Sequence, residues 1–290
     1  MMQIIALAAA VAWSSCSVLP RTAVVVRRSD VLMSLTEQEV RVSEAMEIKP
    51  VKDTSARATG LALALDDGTR KSHSVAENTA FVTGFFRGIA TKSAFSQLVA
   101  SLYFVYEAME AAFDASEDPS VRALDYASLR RVPALEEDMT YYFGSSWRST
   151  VQPSPATQEY AGRVREVAEK EPYLLIAHMY TRYLGDLFGG QMMGGMARRS
   201  LSLDDERGTS FYTFGEIPQT KPFIEEWYQV LNELELSAEQ KQMIVDEANL
   251  VFALNIKVFD ELEGNPVSAM WALASNALKS ALGLGGDVVE

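Results

Sequence analysis

The sequence predicts an all-α fold, and three observations carry that expectation. From Glu37 onward Ala, Leu, Glu, Met and Arg dominate, with apolar residues recurring at 3.6-residue spacing. No segment combines sustained strand-like alternation with turn signals of the Asn-Gly type. Gly, Pro and Asp/Ser clusters punctuate the chain at intervals suited to helices. On that basis helices are expected over residues 67–87, before Gly88; over 92–116, before Asp118-Pro119; and over 121–126. A further one spans 133–143 between Pro133 and Gly144, and others run over 155–171 and 172–200, opened by Pro155 and Pro172. The last three cover 221–233, 237–262 and, between Pro266 and Gly283, residues 266–282, the final one as a docked amphipathic helix. No internal repeat is visible.

Ahead of this body, Ile4–Trp13 is an apolar run too short to span a bilayer. Serines and then Arg21, Arg27 and Arg28 follow it, with no acid before Asp30. This pattern predicts a targeting presequence over 1–29, of the bipartite signal-plus-transit kind that leads to a plastid (chloroplast), with a plain secretory signal or a single transit peptide as the alternatives. Residues 30–56 read as a linker containing a short helix, and 57–290 as one helical domain without a transmembrane anchor, expected to be monomeric.

Charge and residue counts narrow the function. The formal net charge is −13, and it becomes −16 once the three leader arginines are set aside, so nucleic acid is excluded as a partner class. The one cysteine, Cys16, lies in the leader, which leaves the body no thiolate nucleophile and no thiolate metal site. Two imidazoles remain, His73 and His178. A multi-histidine di-iron centre is therefore disfavoured.

Two constellations could carry chemistry. His73 and Glu77 are four residues apart and share a helix face, so the carboxylate can orient the imidazole as partners of metal-bound histidines do. An ordinary surface histidine is the blander reading. The second is Leu184–Gly195, where glycines stand at 185, 189, 190, 194 and 195 in an otherwise helical stretch. Each costs about 1 kcal/mol of helix propensity against Ala, roughly 5 kcal/mol in all. Gly185 and Gly189 fall on one face, where they could kink the helix and let a flat ligand approach its backbone. Close helix packing or an interhelical loop explains the same glycines, and a phosphate cradle lacks its strand and its Gly-Lys-Ser/Thr.

The string LLIAHMYTRYLGDLFGGQ, residues 174–191, resembles the signature of the haem (heme) oxygenase family, and residues 73–81, 100–110 and 251–262 are similar to three more of its segments in the same order. The resemblance covers about 57–263. It implies a single-domain helical fold in which haem, both cofactor and substrate, lies between a proximal helix with the axial histidine and a glycine-kinked distal helix. By the resemblance His73 is the iron ligand with Glu77 behind it, while Gly185, Gly189 and Gly190 lie over the haem face and Thr69 and Tyr180 complete the binding set. His178 is implied to be structural. Asp186 is implied as the catalytic carboxylate that works through ordered water, with Arg182, Tyr106, Tyr160 and Asn255 holding the network. The implied reaction uses O₂ and electrons, from ferredoxin or another reductase, to open haem to biliverdin, CO and Fe²⁺.

The chain also departs from the family. Asp66, Ile224 and Tyr228 stand where basic side chains usually grip the haem propionates, and Phe188 replaces a small serine. Arg70, Tyr180 or Lys221 could compensate. A non-catalytic haem- or porphyrin-binding paralogue is the alternative these positions suggest. Docking of an acidic ferredoxin would require a local basic patch, for which Arg87, Lys92, Arg198 and Arg199 are the candidates.

Overall fold

A computed structural model describes residues 55–79, 82, 91–203 and 207–262. The chain divides after Asp53, and every described element belongs to the unit that begins at Thr54. The presequence and the expected helix at 266–282 lie outside the described residues.

Ten α-helices build the described part: α1 (Gly60–Glu77), α2 (Lys92–Ala115), α3 (Pro119–Leu124), α4 (Val132–Phe143), α5 (Trp147–Thr150), α6 (Pro155–Lys170), α7 (Leu175–Met179), α8 (Gln191–Ser200), α9 (Thr220–Glu233) and α10 (Ala238–Leu262). Among the described residues there is no strand. Between α7 and α8 the chain stays helical but is wound as two π-helical stretches, Tyr180–Leu184 and Asp186–Gly190, so that 175–200 forms one bent helix. Extra residues per turn of this kind redirect side chains, which is why they recur at functional sites. The helix expected over 172–200 thus exists, opened by a 3₁₀ turn at Pro172–Leu174.

Local chemistry explains the other boundaries. Helix α1 starts seven residues earlier than expected because Gly60 takes φ +56°, and the Asn232 Oδ1 of α9 accepts from Ala62 N at 2.9 Å. A side chain at position 60 would put its Cβ 2.6 Å from that oxygen. The helix ends at Glu77, with Asn78 as the cap, and residues 80, 81 and 83–87 of the expected span lie outside the described residues. Helix α3 starts at Pro119, two residues early, because Asp118 accepts from the amides of Ser120 and Val121. The α4 N-terminus has a remote cap, the buried Glu110 of α2, which accepts from Arg131 N and Val132 N.

The core sits around α2, which packs on α4 and α6, while α10 packs on α1, α6 and α7. Tyr106, Tyr160, Tyr183, Trp147, Trp227, Phe95, Phe113 and Phe211 are fully buried within it. One tie joins three helices: Glu247 of α10 accepts from Arg163 of α6 at 3.0 and 2.6 Å and lies 3.2 Å from His178 Nε2 of α7. Burial pushes the carboxylate upward, but its hydrogen bonds to His178 and Arg163 hold it at about 2, and burial lowers the imidazole. Among the described residues no helix is long and apolar enough to cross a membrane.

Candidate active site

Two helical walls carry the singled-out residues. On α1, His73 is 54% exposed, its Nδ1 is 3.5 Å from Glu77 Oε2, and its ring meets Phe252 of α10 edge-on at 5.6 Å. One helical turn earlier Thr69 is buried, donates to Leu65 O at 2.7 Å and interacts with the Tyr180 hydroxyl, where α1 meets the bent helix.

The other wall is a buried polar network. Arg182 donates through Nη1 to Asn255 Oδ1 at 2.8 Å and through Nη2 to both oxygens of Asp186 at 3.3 Å. Asp186 also accepts from the Tyr106 hydroxyl. Asn255 is fixed in turn, its Nδ2 donating to Val251 O at 2.8 Å. Tyr160 lies beside Asn255 and Arg182 with its hydroxyl buried, and among the described residues neither that hydroxyl nor the buried Arg182 Nε has a hydrogen-bond partner. Burial raises the Asp186 carboxyl, against the pull of Arg182, Tyr106 and Arg131. Burial and the Asp186 charge push the Tyr106 phenol well above its ordinary range. So Tyr106, Tyr160, Arg182, Asp186 and Asn255, drawn from four helices, form one cluster. His178 belongs to the three-helix tie.

The glycines divide by role. A Cβ at Gly185, Gly189 or Gly195 would meet no described residue within 4 Å. At Gly190 it would come within 3.1 Å of the Tyr212 ring, and at Gly194 within 2.7 Å of Tyr212 Cβ. Only the first group presents bare backbone to open space, whereas Gly190 and Gly194 admit a neighbouring tyrosine. A Cβ at Gly190 would thus point towards Tyr212, unlike one at Gly185 or Gly189.

Tyr212 belongs to a segment the sequence reading passed over. Buried Asp138 of α4 accepts from Ser210 N at 2.8 Å and Phe211 N at 2.9 Å. Buried Arg131 donates to Thr213 O at 2.7 Å and lies 4.0 Å from the Phe214 ring. The segment so held puts Phe211 5.3 Å from the Tyr106 ring. No local pattern announces these roles, since the partners are over 70 residues apart. A second omission is Arg57, which bonds Asp66 and lies 5.7 Å over the Phe188 ring.

The residues suit a flat iron-bearing ligand. An exposed imidazole has its Nδ1 turned to a carboxylate, two glycines on the bent helix meet no described residue, and two buried polar atoms lack partners among the described residues where ordered water can sit. A depression lined by Ala108, Ala111, Ala112 and Ala168 lies elsewhere, between α2 and α6, and contains none of these groups.

Comparison with known proteins agrees with this geometry. A family model described as Heme oxygenase matches residues 59–261. The chain is 44% identical to heme oxygenase 1 of Nostoc sp. over 222 residues, 76% of this chain and 93% of that protein. It is also 44% identical to heme oxygenase of the alga Porphyra purpurea, covering 72% of this chain and 89% of that one. Among solved structures, heme oxygenase-1 of Synechocystis sp. PCC6803 in complex with heme superposes with a TM-score of 0.72 at 44% identity, over 76% of this chain and all of that one. Heme oxygenase-2 of the same organism, in complex with heme and NO, superposes with a TM-score of 0.71 at 40% identity, over 76% of this chain and 91% of that one. With its signature on the bent helix and its matched segment running from α1 to the end of α10, the chain belongs to the haem oxygenase family.

Proposed function

We propose that the protein binds haem between α1 and the bent helix and opens it oxidatively to biliverdin, CO and Fe²⁺. The observation that carries this reading is the buried Tyr106–Asp186–Arg182–Asn255 network, whose Arg182 and Asp186 lie on the helix where Gly185 and Gly189 meet no described residue. Bound haem would supply the iron at which O₂ is reduced and the porphyrin carbon that is oxidised.

The chain's own residues supply the rest. His73 is the iron ligand, and Glu77 fixes its tautomer by drawing the proton to Nδ1. Asp186, with Tyr106 and Arg182 on its oxygens, holds a water rather than presenting its own acid proton, which keeps proton delivery gentle. Tyr160 Oη and Arg182 Nε are further anchoring points for such water. Thr69 and Tyr180 line the approach. Family membership favours turnover over a haem-binding paralogue without activity.

Reduced ferredoxin is the proposed electron donor, and the plastid the proposed compartment. What supports docking is the pair Arg198 and Arg199 in the last turn of α8, with exposed Lys92 at the start of α2; Arg87 lies outside the described residues. The experiment is hemin turnover with ferredoxin and its reductase, with identification of the tetrapyrrole. Biliverdin and CO are expected. A Soret shift on adding hemin followed by no product under reduction would leave a haem-binding protein only. Reversing the charges of Arg198 and Arg199 should slow ferredoxin-supported turnover and flatten its salt dependence, while a chemical reductant works as before.

A further inference from the structure

Three anionic or neutral side chains, Asp66, Ile224 and Tyr228, lie along the edge where α1, α9 and the bent helix converge. Ile224 and Tyr228 are buried, and Asp66 is partly so. Haem carries two carboxylates, and an uncompensated Asp66 would repel them. The structure shows Asp66 compensated. Arg57 donates to its Oδ1 through Nε at 3.1 Å and also through Nη2, and Arg70 Nη2 approaches Oδ2 at 3.6 Å.

Arg57 is held from several sides. Its backbone lies in the 3₁₀ turn Ala56–Ala58, which Glu225 of α9 ties down by accepting from Ser55 Oγ at 2.8 Å and Ala56 N at 2.5 Å. Asn232 Nδ2 adds a bond to Ala56 O at 2.7 Å. The guanidinium reaches from the α1 wall to the bent helix, 5.7 Å over the ring of Phe188, itself exposed and one residue from open Gly189. Its charge is felt by the hydroxyls of both Tyr180 and Tyr228. With 37% of its side chain exposed, it is reachable from solvent. Other bases are worse placed: Arg70 is 70% exposed and bonded to Asp67, while Lys221 is exposed in the first turn of α9.

We propose that Arg57 is the specificity-determining cation that receives a carboxylate of the tetrapyrrole, with Asp66 and Phe188 setting the position of its guanidinium. This rests on the haem-binding reading above. It assigns the task to a residue two positions before the segment that the family model matches. A guanidinium is suited to it because its planar fork of N–H donors can serve two carboxylates at once and still stack on a ring. Asp66 thereby acts as an orienting partner of the anchor instead of a repulsive charge. Because one carboxylate edge is fixed at Arg57, the ligand's rotation in its own plane is fixed too, and with it the meso carbon that is oxidised.

The test separates carboxylate recognition from mere closure of the groove by the turn. Hemin and hemin dimethyl ester, which has the same ring without the charges, are each titrated by Soret absorbance into the parent, Arg57→Ala and Arg57→Lys. The expected result is that Arg57→Ala raises the hemin Kd about ten- to a hundredfold, as loss of a charge-assisted hydrogen bond does. The ester Kd should change by less than about threefold, and Arg57→Lys should recover part of the hemin affinity. Equal losses for hemin and ester would overturn the proposal and make Arg57 a structural clasp. No loss for either would place the carboxylates elsewhere. A parent that binds neither ligand would overturn the haem reading itself, an outcome distinct from both. A second readout is the biliverdin isomer, expected to change from one product to a mixture in Arg57→Ala. A single unchanged isomer together with unchanged affinity counts against the assignment.

Discussion

Along α1, His73 keeps more than half its side-chain surface in solvent and has one carboxylate for company, whereas on the bent helix Arg182, Asp186 and their partners are buried and bonded to one another across three helices. The difference follows from what each wall is asked to do. A ligand side chain must be reachable until the ligand itself covers it. A carboxylate that positions water has to be shielded beforehand, because its hydrogen bonds gain strength as the dielectric falls and its partners must already be in place. Removing His73 should therefore delete one function outright, while changes in the buried wall should spread through the network.

The largest effect expected is at His73. His73→Ala should abolish the ferric spectrum that hemin gives with the parent, while His178→Ala, whose imidazole is locked to Glu247 inside the core, should preserve it. Absorbance spectra of the two hemin-loaded variants check this. An unchanged spectrum in the first, or its loss in the second, would invert the roles of the two histidines.

Next comes the buried wall. Asp186→Ala leaves Tyr106 and Arg182 without their shared acceptor but removes nothing from the α1 face. Hemin affinity should stay within a few-fold of the parent and biliverdin yield should fall about a hundredfold, the scale on which positioned proton delivery contributes. Asn255→Ala frees one bond of Arg182 and should cost less. If Asp186→Ala weakens binding as much as turnover, the two walls are not separable in the way their burial suggests.

A third contrast is between chemistry and scaffold. His178→Ala should lower stability by about 1–3 kcal/mol, because it opens a cavity and removes one partner of Glu247. Thermal unfolding of the apo protein reads the loss, expected without any shift in the hemin-loaded spectrum. The Glu247 carboxyl is depressed in the fold, so its stabilisation is present above the ordinary glutamate range and lost as pH falls towards about 2.

How much of this was readable beforehand differs between the same two walls. His73 and Glu77 announce themselves by spacing on one helix, as do Gly185 and Gly189, since all four act within a turn or two of chain. The order of helices was legible because Pro119, Pro155, Pro172 and Gly144 mark ends by local backbone chemistry. The start of α1 was not, because it depends on Asn232, which is 170 residues away in sequence. The π-helical winding was hidden as well, for a glycine run is equally compatible with a loop, a kink or close packing. Arg57 carries no local signal, since only the fold brings Asp66 and Phe188 to it, so the acid at position 66 stood out as a departure. Tyr106 and Tyr160 fit ordinary core positions by their spacing, and only family resemblance joined them to Asp186 and Asn255.

The last contrast is confined to one pH window and concerns Asp138, which holds Ser210 and Phe211. Burial raises its carboxyl to about 6, against the pull of those two amides. A carboxyl raised in the fold binds its proton more tightly there than in the unfolded chain. Its contribution to stability is therefore complete below the ordinary aspartate value near 4 and is lost as pH climbs through about 6, a change on the order of 2–3 kcal/mol. Asp138→Asn cannot ionise, so this part of the pH dependence should vanish. The amide oxygen can still accept from one backbone N–H, but its NH₂ faces the other, which leaves one hydrogen bond broken and offsets much of the gain at neutral pH. Urea unfolding at several pH values between 4 and 7 should show parent stability falling through that window relative to Asp138→Asn, with the two curves closest near pH 7. Hydrogen exchange should quicken at one of the two amides only. Parallel curves would mean that Asp138 is ionised in the fold throughout, held by its amides as an ordinary charged cap, and that the underside of the active site does not respond to pH in this range.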